Sequence, residues 1–176
     1  MKIRKVLPEE LPKARAFYHA VIDGIQDRST SVKWQKDVYP NPGLIENSIR
    51  REEFFAKEKD GEFIAAMILN HAFPEEYRRI SWPTKAEKDE VMIIHALAVH
   101  PLHTRKGYAK DLVRFAVEYG RKNRQKAIRL DVLKENAAAE KLYPDMGFQY
   151  AGSVRMFYED TGWADFLLYE FPLCGL

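Results

Sequence analysis

The chain has 176 residues, of which 46% are hydrophobic and 31% charged, and a formal net charge of +2 at pH 7. This describes a single globular domain, 1–176, with its own core, and excludes a disordered chain. The near-balanced charge offers nucleic acid no general attraction, the lone Cys174 excludes a disulfide framework or a Cys-rich zinc site, and no apolar run is long enough to span a bilayer.

In chain order, residues 1–6 read as a short edge strand. Pro8 opens a helix to about residue 22, with Leu11, Ala14, Arg15, Tyr18 and Val21 near helical spacing, and Gly24 ends it. Residues 27–43 have no period, and Asn41-Pro42-Gly43 is a turn signal. A short helix follows over 44–51. Residues 54–59 and 62–70 form a hairpin around Asp60-Gly61, a pair that supplies the positive φ angles of a tight turn. The run from Ile64 to Leu69 is nearly all apolar, so that strand is covered on both faces. Residues 73–89 are polar and mixed in charge. They read as a surface insertion, where acceptor-binding loops tend to lie.

Residues 91–99, VMIIHALAV, form a buried strand stopped by Pro101. After Gly107 an amphipathic helix carries Leu112, Phe115, Ala116 and Tyr119 on one stripe. Residues 127–132, AIRLDV, alternate as a strand. A helix over 136–146 has Asn136 as N-cap and Gly147 as C-cap. Strands over 148–158 and 163–171 end the chain, joined by the turn at 159–162. The order is βααβββαβαββ, an α+β sheet of mixed direction with helices on its faces.

The stretch from Glu90 to Lys110 carries the strongest chemical signal. A buried strand runs through Arg105-Lys106-Gly107-Tyr108-Ala109 into a helix. The first amides of a helix lack partners inside it and sit at the positive end of its dipole. Small residues at 107 and 109 let a ligand approach, and Arg105 and Lys106 add charge. Together these suit a pyrophosphate. The alternative is an ordinary strand-to-helix turn with two solvated cations. The spacing is neither a Walker A loop nor a dinucleotide fingerprint.

Two stretches together resemble the Gcn5-related N-acetyltransferase (GNAT) superfamily. The family's [QR]xxGx[GA] loop, following an LxVxP-like strand end, stands here as Leu97-Ala98-Val99-His100-Pro101 and Thr104-Arg105-Lys106-Gly107-Tyr108-Ala109. Its later NxxAxxLYxxxGF pattern stands as Asn136, Ala139, Leu142, Tyr143, Gly147 and Phe148. The match is close over 90–148. Thr104 departs from the usual Gln or Arg, with Arg105 and Lys106 supplying charge instead.

The resemblance implies a central mixed, mostly antiparallel sheet flanked by helices on both faces. It implies acetyl transfer from acetyl-CoA to an amine by direct attack in a ternary complex, with no acyl-enzyme and no metal. The backbone of Leu97, Ala98 and Val99 would pair with the pantetheine arm. Thr104, Arg105, Lys106, Gly107, Tyr108, Ala109 and Lys110 would hold the pyrophosphate. Asn136 would bond the pantetheine or cap its helix. Tyr143 matches the phenol that protonates the departing thiolate; an unperturbed phenol is neutral at pH 7 and able to donate.

For the base, histidine titrates nearest the working pH. Alternation puts His95, Leu97 and Val99 on one face of the strand. The run from His95 to His100 also resembles the same strand of arylalkylamine N-acetyltransferases, where histidines help carry the amine proton away. Many family members place Glu one or two positions earlier, where this chain has Ile93 and Ile94. Asp89 and Glu90 are weaker candidates, and a histidine bonded in the core is the plain alternative.

Trp34, Tyr39, Trp82, Tyr158 and Trp163 are candidates for packing an acceptor. Asp37, Glu46, Asp89, Glu159 and Asp160 are candidates for attracting its charge. Each also fits an ordinary core or solvated role. The aromatic segments around 34–40 and 158–163 are similar to a group of bacterial GNAT proteins with no assigned substrate. The expected partner is a small primary amine or amino-acid-like molecule, with no nucleic acid or membrane partner. A protein N-terminus or lysine, or a non-catalytic CoA-binding module, are the alternatives. The resemblance also implies a homodimer through the C-terminal strands. The N-terminus, MKIRKVLPEE, lacks a signal-peptide core, so a cytoplasmic location is expected.

Overall fold

In a computed structural model, residues 2–26 and 32–173 are described; Cys174 lies outside them. The elements are β1 (Ile3–Lys5), α1 (Leu11–Gln26), α2 (Pro42–Arg50), β2 (Phe54–Lys59), β3 (Glu62–Asn70), β4 (Val91–Val99), α3 (Tyr108–Lys122), β5 (Ala127–Leu133), α4 (Ala137–Asp145), β6 (Gln149–Tyr158) and β7 (Gly162–Pro172). This is the order expected from the sequence. The strands join in one sheet as β1-β2-β3-β4-β5-β7-β6. The pairs β1/β2, β2/β3, β5/β7 and β6/β7 are antiparallel, and β4/β5 is parallel from Val91↔Ala127 to Ile93↔Arg129.

The chain divides into two compact units. The first comprises Met1–Leu69 and His95–Leu112. Its core gathers Phe17, Tyr18 and Val21 of α1, Ile45 and Ile49 of α2, Phe54 of β2, Phe63 and Ile68 of β3, and Ala96 and Ala98 of β4. Two expectations are corrected in this unit. Gly24 does not end α1 but lies inside it, where an added Cβ would sit 2.3 Å from Pro101 Cγ. Close packing, not termination, requires that glycine. The turn signal at 41–43 is a helix start. Asn41 Oδ1 accepts from the Leu44 amide at 2.7 Å, and Pro42 opens α2. The Asp60-Gly61 turn has the positive φ angles expected, 51° and 83°.

The second unit comprises Asn70–Ile94 and Val113–Leu176. Its core contains Tyr77, Val91, Ile93, Ala127, Met156, Phe166 and Leu168. The segment 73–89 is therefore not a plain surface insertion: a short 3-10 turn, Glu75–Arg79, sinks Tyr77 to 1% exposure. A buried ion pair straps the segment down. Arg129 and Glu170 face each other in the β5/β7 register, with Nε to Oε2 at 2.8 Å. Glu170 Oε1 accepts from the Thr84 amide, and the Arg129 guanidinium donates to the Thr84 carbonyl, each at 2.8 Å. That guanidinium also lies 4.2 Å from the centroid of the Trp82 ring. In α3 the buried stripe is Leu112, Val113, Ala116 and Val117, while Phe115 and Tyr119 stack on each other partly exposed.

Candidate active site

In the first unit, burial alternates along the end of β4. Ala96 and Ala98 are buried, whereas His95, Leu97 and Val99 are partly exposed on one face, as the spacing predicts. Ala96 departs from strand geometry with φ 49°. A non-glycine residue held there costs about 1–3 kcal/mol. The Tyr18 hydroxyl donates to the Ala96 carbonyl at 2.8 Å, from a fully buried ring whose phenol is pushed up by burial. The kink so held redirects the backbone groups that follow it along β4.

Beyond β4, Pro101–His103 makes a 3-10 turn, and Thr104 Oγ1 donates to the Pro101 carbonyl at 3.3 Å. Thr104 thus shapes the turn. Arg105 and Gly107 are both left-handed, with φ 62° and 83°. The Gly107 carbonyl accepts the Asp111 amide at 3.1 Å, so the amides of Tyr108, Ala109 and Lys110 form the open end of α3. Left-handed residues ahead of a helix start make a concave run of amides suited to an anion. An added Cβ at Gly107 would meet nothing within 4 Å, so this glycine serves the backbone angle.

Arg105, Lys106 and Lys110 are exposed around the loop. Burial, then the charges of Lys106 and His100, lower the His103 pKa. The first-turn carboxylate of Asp111 would oppose an anion, but the buried Lys57 of β2 pairs with it and sits 4.8 Å over the Tyr108 ring.

Trp34 and Tyr39 pack against the core of this unit, with ring centroids 5.4 Å apart and Trp34 6.2 Å from Tyr18. Asp37 pairs with His19 at 3.3 Å, and Glu46 with Arg15 and Arg50 at 3.6 and 2.9 Å. These acids are committed to local partners.

In the second unit, Tyr143 of α4 is 6% exposed and packs on Phe148 and Tyr169, at 5.4 and 6.4 Å between centroids. Burial, and then the charge of Asp131, push its phenol up, so it stays protonated at neutral pH. Asn136 Oδ1 accepts from the Ala139 amide at 3.3 Å, which is the capping role. Glu90 is held by Lys126 at 2.8 Å and by the Glu87 amide at 2.9 Å; both lower its pKa, which makes it a poor base. Asp89 and Glu159 are exposed, and burial raises Asp160. Trp163 is 62% exposed beside Phe157, 5.8 Å away. Trp82 donates from Nε1 to the Tyr77 carbonyl at 2.8 Å, and the Tyr158 hydroxyl donates to Asp131 Oδ2 at 3.2 Å.

The family model described as Acetyltransferase (GNAT) family matches residues 14–148. The chain belongs to this family. Solved structures share the fold of this GNAT chain. An acetyltransferase of the GNAT family from Streptococcus agalactiae superposes with a TM-score of 0.79 at 18% identity, covering 97% of this chain and 94% of the other. The yncA protein of Salmonella typhimurium, solved with its cofactor acetyl-CoA, gives 0.70 at 17%, covering 100% and 95%. The ribosomal-protein-S18-alanine N-acetyltransferase of Escherichia coli gives 0.67 at 20%, covering 99% and 95%. No curated protein matches. Among the described residues no helix is long and apolar enough to cross a membrane, and no group of three or more His, Cys, Asp or Glu is placed to hold a metal ion.

Sequence reasoning on this GNAT chain passed over two residues that the second unit brings to the Tyr143 neighbourhood. Asp131 of β5 accepts from the Tyr77 hydroxyl at 2.7 Å as well as from Tyr158. A signal was available: Arg129 and Asp131 alternate onto the same face of an otherwise apolar strand. Two charges there demand partners, and the partners are far along the chain.

Proposed function

We propose that this GNAT chain transfers the acetyl group of acetyl-CoA to a primary amine, favouring a small or amino-acid-like acceptor. The observation that carries this reading is the loop at the start of α3, where left-handed Arg105 and Gly107 precede open helix amides among exposed cations. Residues 104–110 hold the pyrophosphate, and the kinked backbone of Leu97, Ala98 and Val99 pairs with the pantetheine arm. The amine nitrogen attacks the thioester carbon, and the C–S bond breaks. His95 takes the proton the ammonium must lose before attack, the Tyr143 phenol gives one to the thiolate, and the second proton, lost by the nitrogen after attack, passes to solvent, which reprotonates the phenolate. Asn136 acts as the cap of α4. A protein N-terminus is the second acceptor reading, supported by the likeness to the ribosomal-protein alanine acetyltransferase. A homodimer through β6 and β7 belongs to the same reading, supported by the exposure of Tyr150, Phe157 and Trp163.

Free-thiol release from acetyl-CoA, screened over amines, amino acids, polyamines and short peptides, tests the transfer; calorimetry tests the binding. Turnover on one class confirms the enzyme and names its acceptor class. Binding without turnover on any class favours a CoA-binding module, and absence of binding removes the loop assignment. With an acceptor in hand, kcat/KM against pH is expected to show a limb with a pKa of about 6 to 7.5 that His95→Ala abolishes. A limb surviving in the variant moves the base elsewhere.

Lys57→Met is expected to weaken acetyl-CoA binding about three- to tenfold, since it removes the buried ammonium that pairs with Asp111 in the first turn of α3. Adding Asp111→Asn should restore affinity. No change in the single variant would show that Lys57 serves packing alone.

A further inference from the structure

Asp131 carries a charge that the transfer roles above leave unused. It sits in the middle of β5 between the buried Leu130 and Val132. Both of its hydrogen bonds, from the Tyr77 and Tyr158 hydroxyls at 2.7 and 3.2 Å, fall on Oδ2. A carboxylate has room for more, and Oδ1 takes no partner among the described residues. Burial raises the Asp131 pKa, the two phenols lower it, and Asp160 in the turn after β6 raises it again. The environment therefore opposes the lone negative charge and would be relieved by a cation.

The surroundings are aromatic and held in place. The Tyr77 ring stacks on Phe73 at 5.5 Å and tilts against Trp82 at 5.3 Å, and the Tyr158 ring meets Phe166 at 5.1 Å. A carboxylate reached by phenol hydroxyls within such aromatic surroundings is poorly screened, which strengthens its attraction for an ammonium group. Trp82 is fixed by its bond to the Tyr77 carbonyl and by the Arg129 guanidinium above it, which Glu170 and Thr84 hold. The charge of Asp131 also reaches the Tyr143 phenol.

We infer that Asp131, with Tyr77 and Tyr158 on its Oδ2, is the subsite that holds the acceptor's ammonium group, and that it selects primary amines with no carboxylate next to the nitrogen. A free α-amino acid would bring its carboxylate toward Asp131 and Asp160. An alkylamine, an arylalkylamine or an amino-acid amide would not. This rests on the acetyltransferase reading and narrows its acceptor.

The test uses phenethylamine, phenylalaninamide and phenylalanine, which share a ring and differ in the carboxylate. Binding is read by carbon NMR of the Asp131 carboxyl group, with CoA present. The two amines lacking a carboxylate are expected to shift the signal saturably and to lower its titration midpoint. Phenylalanine should bind about tenfold more weakly or worse. Asp131→Asn should lose about 10- to 100-fold in amine affinity, followed through tyrosine fluorescence, while acetyl-CoA calorimetry stays unchanged.

The variant keeps an acceptor for both phenols and should fold. Because the folded-state pKa is raised, the stability Asp131 contributes is present at low pH and lost as pH rises through that value. Asp131→Asn should therefore melt no lower than wild type at pH 8.

In turnover, KM for the amine should rise in wild type as pH falls and protonates Asp131; Asp160, raised by burial, protonates in the same direction, and the raised Tyr143 phenol stays neutral. Asp131→Asn should remove the Asp131 part of that dependence. No saturable shift with either amine, or equal binding of phenylalanine, overturns the subsite whatever turnover is seen elsewhere. Saturable amine binding without acetyl-CoA binding would instead overturn the transferase reading and leave the subsite standing.

Discussion

Tyr143→Phe is expected to lower kcat by about 10²- to 10⁴-fold while leaving acetyl-CoA affinity nearly intact, the range of a lost general acid. The substitution removes one oxygen from a ring that is 6% exposed and packed on Phe148 and Tyr169, so the α4 packing should survive. Burial and the Asp131 charge raise the phenol pKa, so the phenol is protonated at neutral pH but is a weaker acid than a free tyrosine. The measurement is steady-state kinetics with calorimetry on the same preparation. Unchanged kcat would leave Tyr143 a packing residue, and a parallel loss of binding would point to misfolding of α4. Comparing a poor and a good thiol leaving group adds a second readout. The variant's deficit should shrink with the more acidic thiol, because that thiolate needs its proton less.

Glu170→Ala should cost about 3–5 kcal/mol of stability, the usual result of removing one partner from a buried ion pair. Arg129 is 6% exposed and Glu170 fully buried, so the guanidinium left behind keeps little water. The Thr84 amide also loses its acceptor at 2.8 Å. The check is the urea midpoint of unfolding, with Glu170→Gln alongside. Glutamine still offers an oxygen to the Thr84 amide, so it should fall between wild type and alanine. Replacing Arg129 and Glu170 together by Met should recover much of the loss, since a buried pair is often no better than packed apolar groups. The double replacement should still raise KM for the amine, because the pair also fixes Trp82 and Thr84 of the 73–89 segment. Equal stability of Glu170→Ala and wild type would show that the strap carries no energy.

Local pattern set the element order: helices by apolar period, the β2–β3 hairpin by Asp60-Gly61, the α3 loop by residues that touch one another in sequence. The candidate anion loop was readable for that reason, since an amide run at a helix start is built from consecutive residues. Asn41 and Gly24 show where local signs mislead. An Asn-Pro-Gly string serves a turn and a capped helix start equally well until the Leu44 amide is placed. Gly24 looked like a terminator, and only the position of Pro101 shows that it is needed for close packing.

The proposed acceptor subsite was far less readable. Tyr77 and Asp131 are 54 residues apart, and Tyr158 and Asp131 are 27 apart. Neither Tyr77 nor Asp131 lies in a motif, and the segment bearing Tyr77 reads as polar surface.

The sequence alone determined the fold class, through periodicity, and the family, through the resemblance of its two motifs; it also supplied the candidate anion loop, because an amide run at a helix start is contiguous in the chain. The tertiary structure decided which carboxylates are neutralised by neighbours and which one is left among phenols. Desolvation and hydrogen bonding depend on what long-range packing brings beside a side chain, and no local pattern encodes that.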